Sequence, residues 1–263
     1  MRRVLVISSY VAKGTVGLQA TLPALTAVVF VPIAVPTIVL SNHPGFKACA
    51  GAQIAPETLE QMIDALDANG WLGELDAVMT GYLPSAAHVA FAERTVKRVR
   101  SRSDRALYLA DPVLGDDPEG LYVGSDVAAA VRDRLLPLAD IITPNRFELE
   151  WLSMMPVNDG QTAITAASAL PVPVAVATSI PDGAARLSNI LVTPDGTRTE
   201  CVDRLEHAPH GTGDYFAGAF LAQILNGASG SEALAAATER TAHLLAASGN
   251  GDDLAIGAIA IAG

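Results

Sequence analysis

Short apolar runs alternate with longer segments of helical periodicity along almost the whole chain, and this alternation limits the folds open to it. The runs are rich in Val, Ile and Ala, as at residues 4–8 and 172–177, which suits strands that are buried on both faces. A helix between successive strands carries the chain back across the sheet, so the strands run parallel. We therefore expect an α/β protein with a Rossmann-like, mostly parallel central sheet and helices on both faces. A single domain is expected over residues 1–263.

The pattern can be assigned element by element. Residues 189–203, with Pro194-Asp195-Gly196 at their middle, indicate an antiparallel hairpin late in the chain. The expected strands are 4–8, 28–33, 37–40, 76–79, 106–110, 140–142, 172–177, 189–193 and 198–203. The expected helices are 16–27, 56–69, 85–101, 125–136, 146–154, 162–170, 213–225 and 231–247.

Residues 22–40 carry no charge, and a stretch of this length suggests a membrane span. Pro23, Pro32 and Pro36 argue against one, since each proline inside a helix costs about 3 kcal/mol. The β-branched stretches 28–31 and 37–40 lie on either side of two of these prolines. We expect two buried strands after a short helix, and no membrane association.

Charge and cysteine content narrow the partners and the compartment. The formal net charge is −11, so we expect no nucleic-acid partner, although backbone amides can still hold the phosphates of a nucleotide. Cys49 and Cys201 are far apart and lack metal-ligand spacing, which is typical of free thiols in a reducing compartment. The apolar run after Arg3 is too short for a signal peptide. These features predict a soluble, cytoplasmic protein.

Small polar or acidic residues follow six of the expected strands. In open α/β sheets, ligands bind beyond the carboxyl ends of the strands, and the carboxyl ends of parallel strands share one edge. A polar loop after a single strand is common, but six together indicate a binding edge. The residues concerned are Ser8-Ser9, Ser41-Asn42-His43, Thr80-Gly81-Tyr82, Asp111, Thr143-Pro144-Asn145 and Thr178-Ser179.

The most specific local motif is Gly211-Thr212-Gly213-Asp214, which precedes an expected helix. Glycines let the backbone approach a ligand closely, and the helix start adds free N–H groups and the positive end of the dipole. The motif therefore predicts an anion hole. Asp214 beside these amides is either a simple helix cap or a general base that faces a substrate hydroxyl.

Other glycine and metal motifs do not fit. A dinucleotide fingerprint would need a third glycine where Phe216 stands, and the sequence has no P-loop motif. The five histidines show no metal-ligand spacing. The anion hole is therefore best explained by a different class of phosphate-binding protein.

Four further motifs make the pattern specific. Asp111-Pro112-Val113-Leu114-Gly115-Asp116 follows a strand, and residues 138–148, which include Thr143-Pro144-Asn145, span a strand end and a helix start. Ser41-Asn42-His43-Pro44-Gly45 and Thr80-Gly81-Tyr82 complete the set. With Gly-Thr-Gly-Asp near the C-terminal end, their order and spacing resemble the ribokinase superfamily, and within it the pyridoxal kinases, over residues 4–247. The resemblance implies a ribokinase-type fold and ATP-dependent phosphorylation of the 5'-hydroxymethyl group of pyridoxal to give pyridoxal 5'-phosphate. The vitamers pyridoxine and pyridoxamine are further candidate substrates.

The resemblance also implies a role for each matching position. Asp214 would be the catalytic base, with the amides of Gly211, Thr212 and Gly213 as the anion hole. Mg²⁺ would be held through water by Asp111 and Glu148, and a monovalent cation is a further candidate. A homodimer is implied, and residues 115–122 would form a lid that excludes water. ATP would be bound by Asp111, Asp116, Thr143, Asn145, Glu148, Thr178 and Ser179, and the vitamer by Ser9, His43, Pro44, Tyr82 and Asp214.

The departures from the family pattern lie on the vitamer side. Pro44 stands where many members have a threonine, and Leu18 stands where an asparagine is common. Tyr10 stands where a histidine is common, and an aromatic residue of the family is replaced near Cys49. Two alternatives therefore stay open. One is a hydroxymethylpyrimidine kinase with the same base and anion hole. The other is a non-catalytic vitamin-binding protein, which the intact Gly213 and Asp214 disfavour.

Overall fold

A nine-stranded sheet forms the centre of the protein in the computed structural model, which describes residues 2–27, 30–205 and 207–257. The strands in sheet order are β11 (Gly196–Asp203), β10 (Arg186–Thr193), β9 (Val174–Asp182), β8 (Ile141–Ile142), β5 (Leu107–Ala110), β4 (Ala77–Thr80), β1 (Arg2–Val11), β2 (Phe30–Leu40) and β3 (Gly51–Gln53). A separate two-stranded hairpin consists of β6 (Gly115–Asp116) and β7 (Gly120–Leu121).

The middle of the sheet is parallel, which confirms the expected fold class. Six strands form this part, and each pair of adjacent strands among them is parallel. In sheet order they are β9, β8, β5, β4, β1 and β2. The antiparallel pairs are at the two edges: β3 with β2, and β10 with both β9 and β11. Thr193 stands opposite Gly196, so the expected hairpin around Pro194-Asp195-Gly196 is confirmed.

All eight expected helices are present. They are α1 (Leu18–Thr26), α2 (Pro56–Ala68), α3 (Ala86–Arg102), α4 (Ser125–Ala130), α5 (Arg146–Ser153), α6 (Gly160–Ser168), α7 (Thr212–Leu225) and α8 (Gly230–Ser248). α4 is shorter than expected because the chain continues as a π turn, Val131–Leu135, and a 3-10 turn, Leu136–Leu138. Pro137 has no N–H and cannot continue an α-helix. Within the described ranges, no helix is both long and apolar enough to cross a membrane.

Two apolar cores cover the two faces of the sheet, and β1 contributes to both. Leu5 and Ile7 pack in the core that contains residues of α2 to α6, whereas Val4 and Val6 pack in the core of α1, α7 and α8. All four side chains are fully buried. This alternation is what a strand buried on both faces requires, since successive side chains point to opposite faces.

Residues 30–40 form one strand, so the expectation of two strands separated by prolines was wrong. Pro32 stands opposite Val4 and Pro36 opposite Ser8 in the parallel pairing of β2 with β1. The pairing of β2 with β3 covers only Ile38–Leu40, so over the described residues the proline-containing part has one partner strand. A proline is tolerated in such a strand when its nitrogen faces the unpaired side. Residues 28 and 29 of the expected strand 28–33 lie outside the described residues.

Candidate active site

The polar residues that follow the parallel strands lie along one edge of the sheet. The backbone N–H of Tyr82, after β4, donates to the Ser8 hydroxyl of β1 at 3.1 Å. The Thr143 hydroxyl, after β8, donates to the Asp111 carboxylate, after β5, at 2.9 Å. These two contacts join neighbouring strand ends, so the expected binding edge is formed.

Asp214 lies in the first turn of α7, directly after the glycine motif. Gly211 begins this helix with φ of 88°, in the left-handed region that glycine adopts without strain. A Cβ at Gly211 would overlap the carbonyl oxygen of Thr15, so the loop packs tightly against the start of the chain. A Cβ at Gly213 would meet no heavy atom of the described residues within 4 Å. The helix start is therefore open to a ligand at Gly213, whereas Gly211 is packed against the backbone of Thr15.

Two glycines lie at the Asp214 carboxylate: Gly17, at the start of α1, and Gly81, directly after β4. The backbone N–H of Gly17 donates to Asp214 Oδ2 at 2.9 Å. A Cβ at Gly81 would lie 3.8 Å from Asp214 Oδ1 and 2.5 Å from Ser8 Oγ. Ser9 packs against Gly17, where φ is 57° and a Cβ would overlap the Ser9 side chain. Gly17 thus contacts both Ser9, an expected vitamer contact, and Asp214, the expected base.

Burial alters the acidity of the two central carboxyls. It raises the pKa of Asp214 to about 6, although the hydrogen bond from Gly17 acts in the opposite direction. The pKa of Asp111 is raised well above its usual range, first by burial and then by the negative charges of Asp214 and Glu148; the Thr143 hydrogen bond opposes this. A base whose pKa is closer to neutral takes up a proton more readily.

Glu148 and Asn145 form a capping box at the start of α5. Asn145 accepts from the Glu148 backbone N–H and donates to the Gly115 carbonyl at 2.8 Å. The Glu148 carboxylate accepts from the backbone N–H groups of Asn145 and Leu114 at 2.9 and 2.8 Å. Burial nevertheless raises the pKa of Glu148 to about 7. These contacts join the start of α5 to the backbone of residues 114 and 115, at the base of the β6–β7 hairpin.

The expected lid is the β6–β7 hairpin. Gly115 pairs with Leu121 and Asp116 with Gly120, and the turn between them is exposed. Asp116 accepts from the Asp117 backbone N–H at 2.8 Å, and burial raises its pKa. The hairpin follows Asp111 by four residues. It is therefore attached directly to the strand end that carries the buried acid.

Left-handed backbone occurs at two non-glycine residues beside this edge. Val113 has φ of 44° and Ser179 has φ of 57°. Such conformations cost on the order of 1–3 kcal/mol and persist where neighbouring contacts fix them. The Leu114 hydrogen bond to Glu148 follows Val113, and the Ser179 backbone N–H donates to Asn189 Oδ1 at 3.3 Å. Thr178 is held next to Asn145, where its backbone N–H donates to the Pro144 carbonyl at 2.9 Å.

The expected vitamer side includes a contact that the sequence did not indicate. His43 stacks on His210 with ring centroids 4.0 Å apart. The Gly45 backbone N–H donates to His43 Nδ1 at 3.2 Å. Burial lowers the pKa of His43, and the neighbouring His210 lowers it further. This stack joins the loop after β2, which carries the exposed Pro44, to the residue that precedes the anion hole.

The structure thus brings sequence-predicted residues together in two groups. Asp111, Thr143, Asn145 and Glu148 form one connected group, and Asp116 lies on the hairpin attached to it. Asp214, Ser9 and Tyr82 meet around Ser8, Gly17 and Gly81. The sequence indicated Ser8 only as one of the polar strand-end residues, and it indicated no role for Gly17 or His210. A glycine directly before a helix, as at Gly17, is a usable signal, whereas the histidine stack depends on tertiary structure alone.

No direct metal site appears in the described ranges 2–27, 30–205 and 207–257, where no group of three or more His, Cys, Asp and Glu side chains could hold an ion. The acids nevertheless suit a hydrated divalent cation. Asp111 and Glu148 are 6% and 4% exposed, and their pKa values are raised because each is buried near other acids. Mg²⁺ keeps several waters and needs few protein ligands, so this pair fits the ion through water.

A mostly parallel sheet with an acid and a glycine-flanked helix start at its carboxyl edge is the arrangement of the ribokinase-type kinases. The model of the phosphomethylpyrimidine kinase family matches residues 12–258. A pyridoxal kinase, PdxY, of Deinococcus radiodurans is 36% identical over 246 residues, which cover 89% of this chain and 82% of the relative. A pyridoxine/pyridoxal/pyridoxamine kinase of Bordetella avium is 35% identical, covering 91% of this chain and 83% of the relative. The chain belongs to the pyridoxal kinases of this family.

Solved structures agree with this placement. The pyridoxal kinase from Leishmania donovani in complex with ADP and pyridoxamine has a TM-score of 0.92 and 30% identity, covering 98% of this chain and 94% of that one. The pyridoxal kinase from Entamoeba histolytica has a TM-score of 0.93 and 28% identity, covering 99% and 95%. The fold expected from the sequence is therefore confirmed over nearly the full length of both relatives.

Proposed function

We propose that this protein transfers the γ-phosphate of ATP to the 5'-hydroxymethyl oxygen of pyridoxal, as one kinase domain over residues 1–263. The oxygen attacks the γ-phosphorus, the bond from that phosphorus to the β,γ-bridging oxygen breaks, and ADP leaves. Asp214 accepts the hydroxyl proton. The products are pyridoxal 5'-phosphate and ADP.

The observation that carries this proposal is the position of Asp214. Its carboxylate is fixed by the Gly17 N–H at 2.9 Å and lies in the helix turn whose amides are open at Gly213. A substrate hydroxyl beside Asp214 would therefore face a phosphoryl group held by the amides of residues 211–214. Fixed donors at the phosphoryl group and a fixed base at the attacking oxygen are the two contributions that phosphoryl transfer takes from a protein.

The nucleotide and its metal would occupy the Asp111 side of the edge. Asp111, Asp116, Thr143, Asn145, Glu148, Thr178 and Ser179 are proposed for ATP. Asp111 and Glu148 would hold Mg²⁺ through water. The ion supplies positive charge that offsets the charge of the triphosphate. The repulsion that Asp214 and Glu148 exert on Asp111 supports this assignment, because a cation beside these acids would relieve it.

The vitamer would occupy the side formed by Ser9, His43, Pro44, Tyr82 and Asp214. Burial raises the pKa of Tyr82, so its phenol stays neutral and can pack against a pyridine ring. Pro44 cannot supply the hydroxyl that a threonine would supply there. For this reason we expect Pro44 to alter the preference among pyridoxal, pyridoxine and pyridoxamine.

A substrate panel tests the proposal. The purified chain is supplied with ATP, Mg²⁺ and one of pyridoxal, pyridoxine, pyridoxamine or hydroxymethylpyrimidine, and both ADP and the phosphorylated product are measured. We expect product with pyridoxal, at a higher kcat/KM than with hydroxymethylpyrimidine. The family model's description makes the pyrimidine the relevant competitor. A preference for it would replace the proposed substrate, and binding of vitamers without turnover would favour the carrier alternative.

We also propose that the chain acts as a homodimer in the cytoplasm. The resemblance to pyridoxal kinases supports both statements, and the two free, exposed cysteines fit a reducing compartment. Light scattering on the purified protein measures its mass. A mass near 27.2 kDa would show a monomer instead.

A further inference from the structure

The first turn of α5 contacts the β6–β7 hairpin at both its base and its tip. At the base, Asn145 donates to the Gly115 carbonyl and Glu148 accepts from the Leu114 N–H, each at 2.8 Å. At the tip, Arg146 Nε donates to Asp117 Oδ2 at 2.6 Å, and Nη2 of the same guanidinium lies 2.5 Å from that oxygen. The base contacts use residues already assigned to the site, whereas the function proposed above does not use Arg146.

Other contacts fix the Arg146 guanidinium. Its Nη1 donates to the Val157 carbonyl at 2.8 Å and to Glu150 Oε2 at 3.1 Å. Glu150 in turn accepts from the Val157 N–H at 3.0 Å. The arginine side chain is 22% exposed and that of Asp117 is 49% exposed. Because a guanidinium is planar, holding Nη1 on α5 directs its Nε edge toward the hairpin. The pair therefore orders the hairpin on a fixed arginine.

The charge of the hairpin gives this contact a function. Asp116, Asp117 and Glu119 lie within four residues of one another, next to the edge proposed for the triphosphate. Without a nearby cation, such a hairpin would be repelled by the phosphates and by Asp111 and Glu148. Arg146 supplies positive charge at this place, directly after Asn145 in the chain.

We propose that Arg146 is a positioning residue for phosphoryl transfer: through Asp117 it holds the β6–β7 hairpin against the nucleotide edge, where the hairpin excludes water. The inference rests on the proposed function for the place of the triphosphate. Excluding water prevents hydrolysis of ATP in place of transfer. The measurable consequence of losing the contact is ATP hydrolysis that is no longer coupled to phosphorylation of the acceptor.

The alternative is a surface ion pair without a role in the reaction, since exposed pairs contribute little to stability. The two cases differ in what they change. An ion pair that only stabilises the fold alters the unfolding midpoint and leaves the ratio of ADP to phosphorylated vitamer unchanged. A positioning contact changes that ratio and the KM for MgATP at a nearly constant midpoint.

The test is a double-mutant cycle of Arg146→Gln and Asp117→Asn, with ADP and pyridoxal 5'-phosphate measured separately. For each single variant we expect the rate of ADP formation in the absence of vitamer to rise about fivefold. A change of this size corresponds to the loss of one partly exposed ion pair. The double variant should be no worse than the more affected single variant, because both remove one contact. Asp117→Asn changes an exposed tip residue, so it keeps the test valid if Arg146→Gln folds poorly.

Arg132→Gln is the matched control. Arg132 also forms an ion pair, with Asp133 at 2.8 Å, and lies over the Trp151 ring; among the described residues it has no hydrogen bond or ion pair with the hairpin. Three results would overturn the inference. The ratio of ADP to phosphorylated vitamer could stay unchanged in both Asp117→Asn and Arg146→Gln, or it could rise as much in Arg132→Gln as in Arg146→Gln. The effects of the two single substitutions could also prove additive in the double variant. ADP is measured with and without each vitamer. The effect of Arg146→Gln on ATP hydrolysis can therefore be measured even if the natural acceptor is not pyridoxal. A parent protein that does not phosphorylate pyridoxal would refute the proposed substrate and leave this comparison intact.

Discussion

Asp214 must be ionised to accept a proton, and its surroundings set the pH at which this occurs. Burial raises its pKa to about 6, so the carboxylate predominates at neutral pH but not far below it. Phosphoryl transfer passes through a loose transition state that does not need a fully formed alkoxide early. A carboxylate of this basicity is therefore sufficient.

Replacing this carboxylate gives the first prediction. Asp214→Asn keeps the shape and can still accept from the Gly17 N–H, but it removes the basic oxygen. We expect kcat to fall by roughly 10²–10⁴, the usual contribution of a positioned acid or base. The parent's kcat should also fall as the pH drops through about 6, and this limb should disappear in the variant. Steady-state kinetics from pH 5 to 8 measure both.

Asp126→Asn is the control, because it makes the same change in the first turn of another helix, α4. Its kcat should stay within about twofold of the parent, the small effect usual for an exposed substitution. Circular dichroism checks that both variants fold. A folded Asp214→Asn protein that keeps more than about a third of the parental kcat, well outside the range for a catalytic base, would reduce Asp214 to a helix cap.

Two glycines of the anion hole should respond in opposite ways. A side chain at Gly213 would enter open space at the helix start, so Gly213→Val should fold and lose phosphoryl transfer while pyridoxal still binds. A side chain at Gly211 would meet the Thr15 carbonyl, and φ there is 88°, so Gly211→Ala should lower the thermal midpoint. Thermal unfolding, turnover and pyridoxal titration separate the two effects. Parental turnover in Gly213→Val would contradict the anion-hole assignment.

The residues found from the sequence are those that belong to a motif. Asp111, Asn145, Glu148 and Asp214 each stand in a short run whose spacing is characteristic, and the structure brings them to one edge. Ser8, Gly17 and His210 act through neighbours that are distant in sequence: Ser8 through Tyr82, Gly17 through Asp214 and His210 through His43. Contacts of that kind depend on how strands and loops assemble, which a local pattern does not contain.

At the scale of elements, the histidine stack links two loops that meet over the site. His43 lies in the loop after β2, and His210 directly precedes the anion hole. Removing one ring should loosen the vitamer side without disturbing the Asp111 side. We expect His210→Ala to raise the KM for pyridoxal several-fold, with little change in the KM for ATP.

His210→Phe is the matched variant for this prediction, because it keeps an aromatic face against His43 and removes the titratable ring. We expect its pyridoxal KM to lie close to that of the parent, since stacking of aromatic rings contributes about 0.5–1.5 kcal/mol. Initial-rate kinetics with each substrate varied in turn provide the comparison. If His210→Ala changes only the KM for ATP, the histidine stack belongs to the nucleotide side and the prediction is wrong.

The elements that were predicted correctly are those with a strong local pattern. The helices α3, α5, α6 and α8 each have a side-chain cap at the start, which adds a local signal to the pattern of apolar residues. The failures have tertiary causes. Residues 30–40 remain one strand because pairing with β1 outweighs the prolines. β3 and the β6–β7 hairpin, with two or three residues per strand, are too short to show a period.

At the scale of the whole molecule, buried acids concentrate negative charge at one edge of an already acidic chain. The net charge is −11, and the carboxyls of Asp111, Glu148 and Asp214 all have raised pKa values. Each of them binds its proton more tightly in the folded protein than in the unfolded chain. Linkage then requires that their contribution to stability is complete below pH 4 and is lost as the pH rises, through about 6 for Asp214 and about 7 for Glu148.

This charge predicts how stability depends on pH. In the absence of metal and nucleotide, the free energy of unfolding should fall between pH 5 and 8 by at least about 3 kcal/mol, since the Glu148 shift alone implies a fall of that size and Asp214 adds to it. His43 acts in the opposite direction, since its lowered pKa adds stability as the pH rises through about 6.5. The exposed acids with lowered pKa values, such as Asp133, are ionised throughout this range. The buried acids should therefore dominate the slope.

Urea unfolding at pH 5.5, 6.5, 7.5 and 8.0 in EDTA measures this slope, and repeating it with Mg²⁺ and ADP tests its origin. Binding of a divalent cation is linked to ionisation of the acids, so the added stability should be larger at pH 8.0 than at pH 5.5. A parallel series in 0.5 M NaCl screens repulsion between surface charges but acts little on buried groups. A slope that vanishes in NaCl would assign the effect to the surface. If Mg²⁺ and ADP raise the free energy of unfolding equally at all four pH values, the metal does not bind at Asp111 and Glu148.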